Sequence, residues 1–178
     1  HGGQVSLNPW PHIKREPFGM VVVPIISLLL SGWAFGWASA PYDPYWAERH
    51  PKRAGLMAAA GPGANALLCL LSVALLRVGV ASGTIGGGAH DSLAMAGTQF
   101  LITMAILNAL LGVFNLLPLP PLDGASILEG FGGQTIRNGM RSFRALPIAG
   151  FVGLLVAWNI FPHLAKPVYA LVNWLIAG

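Results

Sequence analysis

The chain has 178 residues, 54% of them hydrophobic and 9% charged, with ten Lys and Arg against six Asp and Glu and a formal net charge of +4. A water-soluble domain carries about a quarter of its residues as charged side chains, so this composition excludes an ordinary soluble globule and points to a chain whose solvent is partly lipid. The basic residues fall in short separate stretches, which excludes a nucleic-acid surface and suits orientation signals at a membrane edge.

The chain opens at His1 rather than Met, and no basic stretch followed by an apolar one marks a signal peptide, so an upstream segment is expected. Gln4-Val5-Ser6-Leu7 alternates as a short strand does. Asn8-Pro9-Trp10-Pro11-His12 reads as a turn, because two prolines remove two backbone donors. Phe18 to Ala40 is free of charge and long enough to span; Pro24 and its glycines suggest a kink, and Trp33 and Trp37 suit an interface near its far end. Residues 41–53 form a polar loop. A second apolar span follows near 54–80, and the glycine-rich stretch at 82–91 reads as a flexible connection, since no Walker lysine follows Gly86-Gly87-Gly88.

Ser92 to Leu122 is uncharged, and helix is expected to stop near Leu117, ahead of Pro118, Pro120 and Pro121. Residues 123–144 read as a polar loop with Arg137, Arg141 and Arg144. A fourth span follows near 145–165, and Lys166-Pro167 sets off 168–177 as an interfacial piece or half-helix. The expected fold is therefore an all-α polytopic membrane protein: one membrane-embedded domain over 1–178, about four transmembrane helices, and an N-terminal strand and turn over 1–17. The loops at 41–53 and 123–144 carry six of the ten basic residues, which favours a cytoplasmic 123–144 loop.

Asp123 is the most informative residue. A carboxylate after a long apolar run costs about 2.5–3.5 kcal/mol at mid-membrane on insertion scales. The prolines before it and Gly124 after it are able to aim it into a protein-lined cavity; equally, Asp123 simply starts the next helix. Asn65, Asn108 and Asn115 are amides in apolar runs, fit either to glue helices or to hold a peptide backbone. Cys69 stands alone in an apolar run and reads as a small buried side chain. No two of His1, His12, His50, His90 and His163 lie three or four residues apart, and His-Glu-x-x-His does not occur.

Asn115-Leu-Leu-Pro-Leu-Pro-Pro-Leu-Asp123-Gly124 resembles the second signature of the site-2 protease family of intramembrane zinc metalloproteases. Gly61-Pro62-x-x-Asn65 is similar to an element one span earlier in that family, and Leu7 to Ile13 with Pro17-Phe18-Gly19 to the stretch after its first signature. Ala125-Ser126 departs from the family, where a small residue and then Arg are common. The resemblance implies zinc held by two histidines of His-Glu-x-x-His and one aspartate, here Asp123, with Asn65, Asn115 and Gly124 supporting the site or the substrate. It implies a multi-pass metalloendopeptidase that cuts membrane-embedded peptides in the lipid bilayer, of which this chain is the C-terminal part, inactive without the His-Glu-x-x-His segment. Two other functions fit the residues: a non-catalytic relative that binds membrane peptides, and a transporter or channel component with Asp123 as an ion or proton site.

Overall fold

The computed structural model describes residues 8–15, 17–32, 44–85, 92–146 and 148–177. Every regular element among them is a helix: Pro9–Arg15 (α1), Val23–Ser31 (α2), Pro44–Arg49 (α3), Pro51–Ala81 (α4), Ser92–Asn115 (α5), Asp123–Phe131 (α6), Gly133–Arg144 (α7) and Ala149–Ala177 (α8), with a π-helical turn at Phe18–Val22 leading into α2. The chain separates into two compact units, His1–Arg49 and His50–Gly178.

In the first unit the expected strand at Gln4–Leu7 lies outside the described residues. The expected turn at Asn8–His12 is instead the start of α1. The prolines mislead because the first N–H groups of a helix have no intrahelical acceptor to lose. Pro9 and Pro11 fill such positions, and Trp10 N–H donates to Asn8 Oδ1 at 3.0 Å as a cap. The expected 18–40 span is helical to Ser31, where Gly32 turns left-handed at φ 73°; the rest, with Trp33 and Trp37, lies outside the described residues. The 41–53 loop contains α3 and the first turn of α4.

The second unit is built on α4 and α5. Among the described residues, these two helices, of 31 and 24 residues, are long and apolar enough to cross a membrane. Their burial pattern is the reverse of a soluble core. On α4, Gly55, Pro62, Cys69 and Leu76 recur every seven residues and are buried together with Ser72 and Gly79. Leu67, Leu70, Leu71 and Leu75, by contrast, are exposed. The seven-residue step keeps one narrow stripe facing the partner helix. On α5 that stripe is Ala105, Asn108 and Gly112. Small residues inside and leucines outside let two backbones approach closely, which is how helices pack where lipid removes the hydrophobic drive.

α8 packs against α5 and α4, with Val172 joining Cys69, Val73 and Ala105 in one cluster. It is one 29-residue helix through Pro162 and Pro167, not a span followed by a separate half-helix. Arg77 of α4 donates to the Leu175 carbonyl in its last turn at 2.7 Å, meeting an acceptor that the helix itself leaves unpaired. The region expected as a polar loop at 123–144 is two helices, α6 and α7. α7 buries none of its side chains, which is why its polarity looks like loop from sequence alone.

Leu76 is 2% exposed and Leu75 57% exposed. Leu76→Ala is expected to destabilise the detergent-solubilised protein by about 2–5 kcal/mol through the cavity it leaves. Leu75→Ala is expected to change little, and thermal unfolding of both variants checks the contrast.

Candidate functional site

The site begins where α5 ends. Asn115 is its last residue, and the chain then folds through tight turns, with Leu117 N–H on Phe114 O at 3.2 Å and Leu122 N–H on Leu119 O at 2.9 Å. Proline at 118, 120 and 121 forbids continued helix; the Pro120–Pro121 bond is cis. Leu117 and Leu122 pack with Ala157 of α8, supported by Phe114, Leu119 and Leu164. Phe114 meets Phe161 edge-on at 5.1 Å. Gly153 of α8 lies so close to the Pro120 carbonyl that no side chain fits there. The proline segment is thus a packed wedge between α5 and α8.

Leu122 is the N-cap of α6 with extended backbone and no side-chain cap, which puts Asp123 at the first helical position. Asp123 starts a helix, as one of the two sequence expectations has it, but it is not a cap. Its carboxylate points at α4. A Cβ built on Gly61 would stand 2.9 Å from Asp123 Oδ2, so the missing side chain at Gly61 is the notch that admits it. Gly61 is ten residues into α4, about 15 Å along the axis from its start. α6 runs from there back toward that start, since Gly130 lies against Pro51 O and the Gly55 Cα. The carboxylate therefore sits at depth beside a spanning helix.

Asp123 is half-buried and makes no hydrogen bond or ion pair among the described residues. The free N–H groups and positive end of α6 favour its charge. Gly124 is buried against the Leu116 and Leu117 carbonyls with no room for a Cβ. Asn65 is brought to the same region: a Cβ on Gly112 of α5 would be 3.4 Å from Asn65 Cβ and 3.7 Å from Pro62 O. Pro62 has no N–H to give the carbonyl four residues earlier. Asn115 donates to Leu111 O at 3.0 Å and Asn108 to Met104 O at 2.8 Å, so both amides spend a donor on their own helix. Asn65 makes no hydrogen bond among the described residues.

The structure thus joins Asp123, Gly124 and the Gly61–Asn65 element in one place. The part played by Gly61 escapes a reading of functional groups, because its contribution is an absent side chain. No group of three His, Cys, Asp or Glu able to hold a metal occurs among the described residues. Asp123 fits one position of a zinc site, for which three or four protein ligands are usual; the described residues supply no second ligand beside it.

The class defined by these features is a helical protein with membrane-length spans and a carboxylate held beside one of them. Residues 77–159 match the model of Peptidase family M50. The chain is 35% identical over 159 residues to "Putative zinc metalloprotease YwhC" of Bacillus subtilis (strain 168), covering 86% of this chain and 64% of that protein. It is 27% identical over 172 residues to "Putative zinc metalloprotease Rip2" of Mycolicibacterium smegmatis, covering 97% of this chain and 60% of that protein. No solved structure matches it. The chain therefore carries a Peptidase family M50, or site-2 protease, segment and is homologous to these two proteins; it spans about three-fifths of their length.

Two glycine substitutions separate the contacts at this site. Gly124→Ala is expected to lower the unfolding midpoint sharply, because its Cβ overlaps backbone carbonyls that cannot move independently. Gly61→Ala meets only the far end of the Asp123 side chain and is expected to unfold within a few degrees of the parent. Scanning fluorimetry of both metal-free variants checks this.

Proposed function

We propose that the full-length protein is an intramembrane zinc metalloendopeptidase and that Asp123 supplies one zinc ligand. The observation that carries this reading is the Asp123 carboxylate, unpaired among the described residues and lodged against Gly61 of α4. Family membership and the relatives' names support the metal and the reaction class. The remaining ligands and the general base would come from a His-Glu-x-x-His segment, which these 178 residues do not contain. When bound, zinc polarises a peptide carbonyl and lowers the pKa of a water.

This chain's own residues bind and orient. Asp123 holds a metal from one side, and its place at the head of α6 keeps the carboxylate ionised. Gly124 fixes the backbone that aims it. Asn65 offers an amide to the backbone of an unwound peptide substrate, and Asn115 keeps one amide proton for the same purpose. The wedge of Leu117, Leu122 and Ala157 limits water beneath the site. We further propose four spans, with the segment through α2, α4, α5 and α8 crossing, all within one membrane-embedded domain. The α6–α7 hairpin then lies on the cytoplasmic side, as its three arginines favour. Neither a non-catalytic peptide binder nor a transporter is favoured by the comparisons.

In the full-length protein, Asp123→Ala is expected to abolish cleavage of a membrane peptide and to remove stoichiometric zinc. Gly61→Ala is expected to lower zinc affinity about 10–100-fold while the fold persists, as misplacing a ligand does. Zinc content by atomic absorption and cleavage by gel shift are the measurements. Full zinc and full activity in Asp123→Ala would discard the reading.

A further inference from the structure

α6 lies on α4 through contacts that have almost no side chains in them. Gly130 meets Pro51 O at 2.7 Å and Gly55 Cα at 2.8 Å, measured from a Cβ built on Gly130, and Asp123 enters the Gly61 notch. Such a glycine-on-glycine crossing brings helices close, but it offers little interdigitation to resist rolling about the α6 axis. At about 100° per residue, Ser126 lies about 60° and Glu129 about 120° around α6 from Asp123. That flank is where α7 arrives. Gly133, at φ 78°, turns the chain back so that α7 returns along α6.

From α7 one guanidinium grips both flank residues. Arg144 Nε is 2.8 Å from Glu129 Oε1, and Arg144 Nη2 donates to Ser126 Oγ at 2.9 Å. Arg137 Nε donates to the Glu129 carbonyl at 3.2 Å. Glu129 Oε1 is buried and accepts no hydrogen bond among the described residues, so its charge relies on Arg144 for compensation. Without Arg144, that oxygen would be a buried charge with nothing opposite it. The cheapest relief is a roll of α6 that carries Glu129 toward water, and the same roll carries Asp123 out of the notch.

We propose that Arg144, acting through Glu129 and Ser126, is the positioning residue that sets the roll of α6 and so the aim of the Asp123 carboxylate. The proposal builds on the assignment of Asp123 as a metal ligand, but its geometry can be tested without metal.

The test uses the full-length protein in its membrane, with native cysteines, Cys69 included, replaced. Gly61→Cys and Asp123→Cys are introduced together, and the rate of disulfide formation under mild oxidant is read on gels. The pair cross-links readily when α6 holds its roll. Arg144→Gln is expected to slow cross-linking about tenfold, as loss of a charge-assisted contact implies. Ser126→Ala, which spares the ion pair and folds safely, is expected to slow it about threefold. The charge-swapped pair Glu129→Arg with Arg144→Glu is expected to restore most of the rate, a rescue that general destabilisation would not show. Parental rates in both Arg144→Gln and Ser126→Ala, or a folded swap that stays slow, would overturn the proposal. With Asp123 intact, Arg144→Gln is also expected to weaken zinc binding about tenfold. If the parent binds no zinc, the proposed reaction fails while the cross-linking rates still decide the role of Arg144.

Discussion

The second unit depends on one close approach: the head of α6 pressed into a gap in the side-chain surface of α4. A carboxylate beside a spanning helix is costly to keep out of water, and the protein meets that cost locally. Gly61 clears the space for Asp123, and Gly124 lets the chain pass over the Leu116 and Leu117 carbonyls. The free N–H groups of α6 face the charge. The proline wedge follows from the same need. α5 has to stop short of α6, and the packing of Leu117 and Leu122 on Ala157 holds the turn at the level where Asp123 meets α4.

The polar groups of the seam fall into two kinds. Ser72, Asn108, Asn115 and Asn159 each donate to the carbonyl four residues back on their own helix. A polar group satisfied in this way costs little in lipid and carries no demand for a ligand. Asn65 and Asp123 have no such internal partner among the described residues, and they sit on facing elements. An unspent acceptor and an unspent amide in an apolar setting are what a peptide and a metal would satisfy. This contrast, more than the count of polar residues, separates site from glue.

Much of this was legible in the sequence, for identifiable reasons. Lengths of uncharged residues fixed α4 and α5, since no other signal is needed to cross lipid, and Pro118 marked the end of α5 within two residues. The Asp123 and Gly61–Asn65 elements were visible as motifs, and their meeting agrees with the resemblance that named them. The errors share a cause in rules taken without position. Proline was counted as a breaker at Pro9 and Pro11, where first-turn geometry makes it harmless, and at Pro167, where α8 continues through it. Polarity was taken for loop in 123–144, although α7 alternates Ile136, Met140 and Phe143 with Arg137, Arg141 and Arg144 at helical spacing. The Arg144–Glu129 pair was invisible because its partners lie on different helices.

Placing the ligand on α6 rather than on a span has a mechanical consequence. α4 and α5 are fixed to each other along a continuous seam of small residues, and moving either would open many contacts at once. α6 is only nine residues long, is attached through glycines at both ends, and meets α4 mostly through backbone. Hydrophobic burial therefore contributes less to its orientation than do directional polar contacts from α7. Those contacts lie toward the polar end of the unit, where water and ions reach Arg144, one-third exposed as it is. The carboxylate is buried with the spans, but its aim is set from the surface, and a change at the α6–α7 hairpin can reach the site without disturbing the helices that cross.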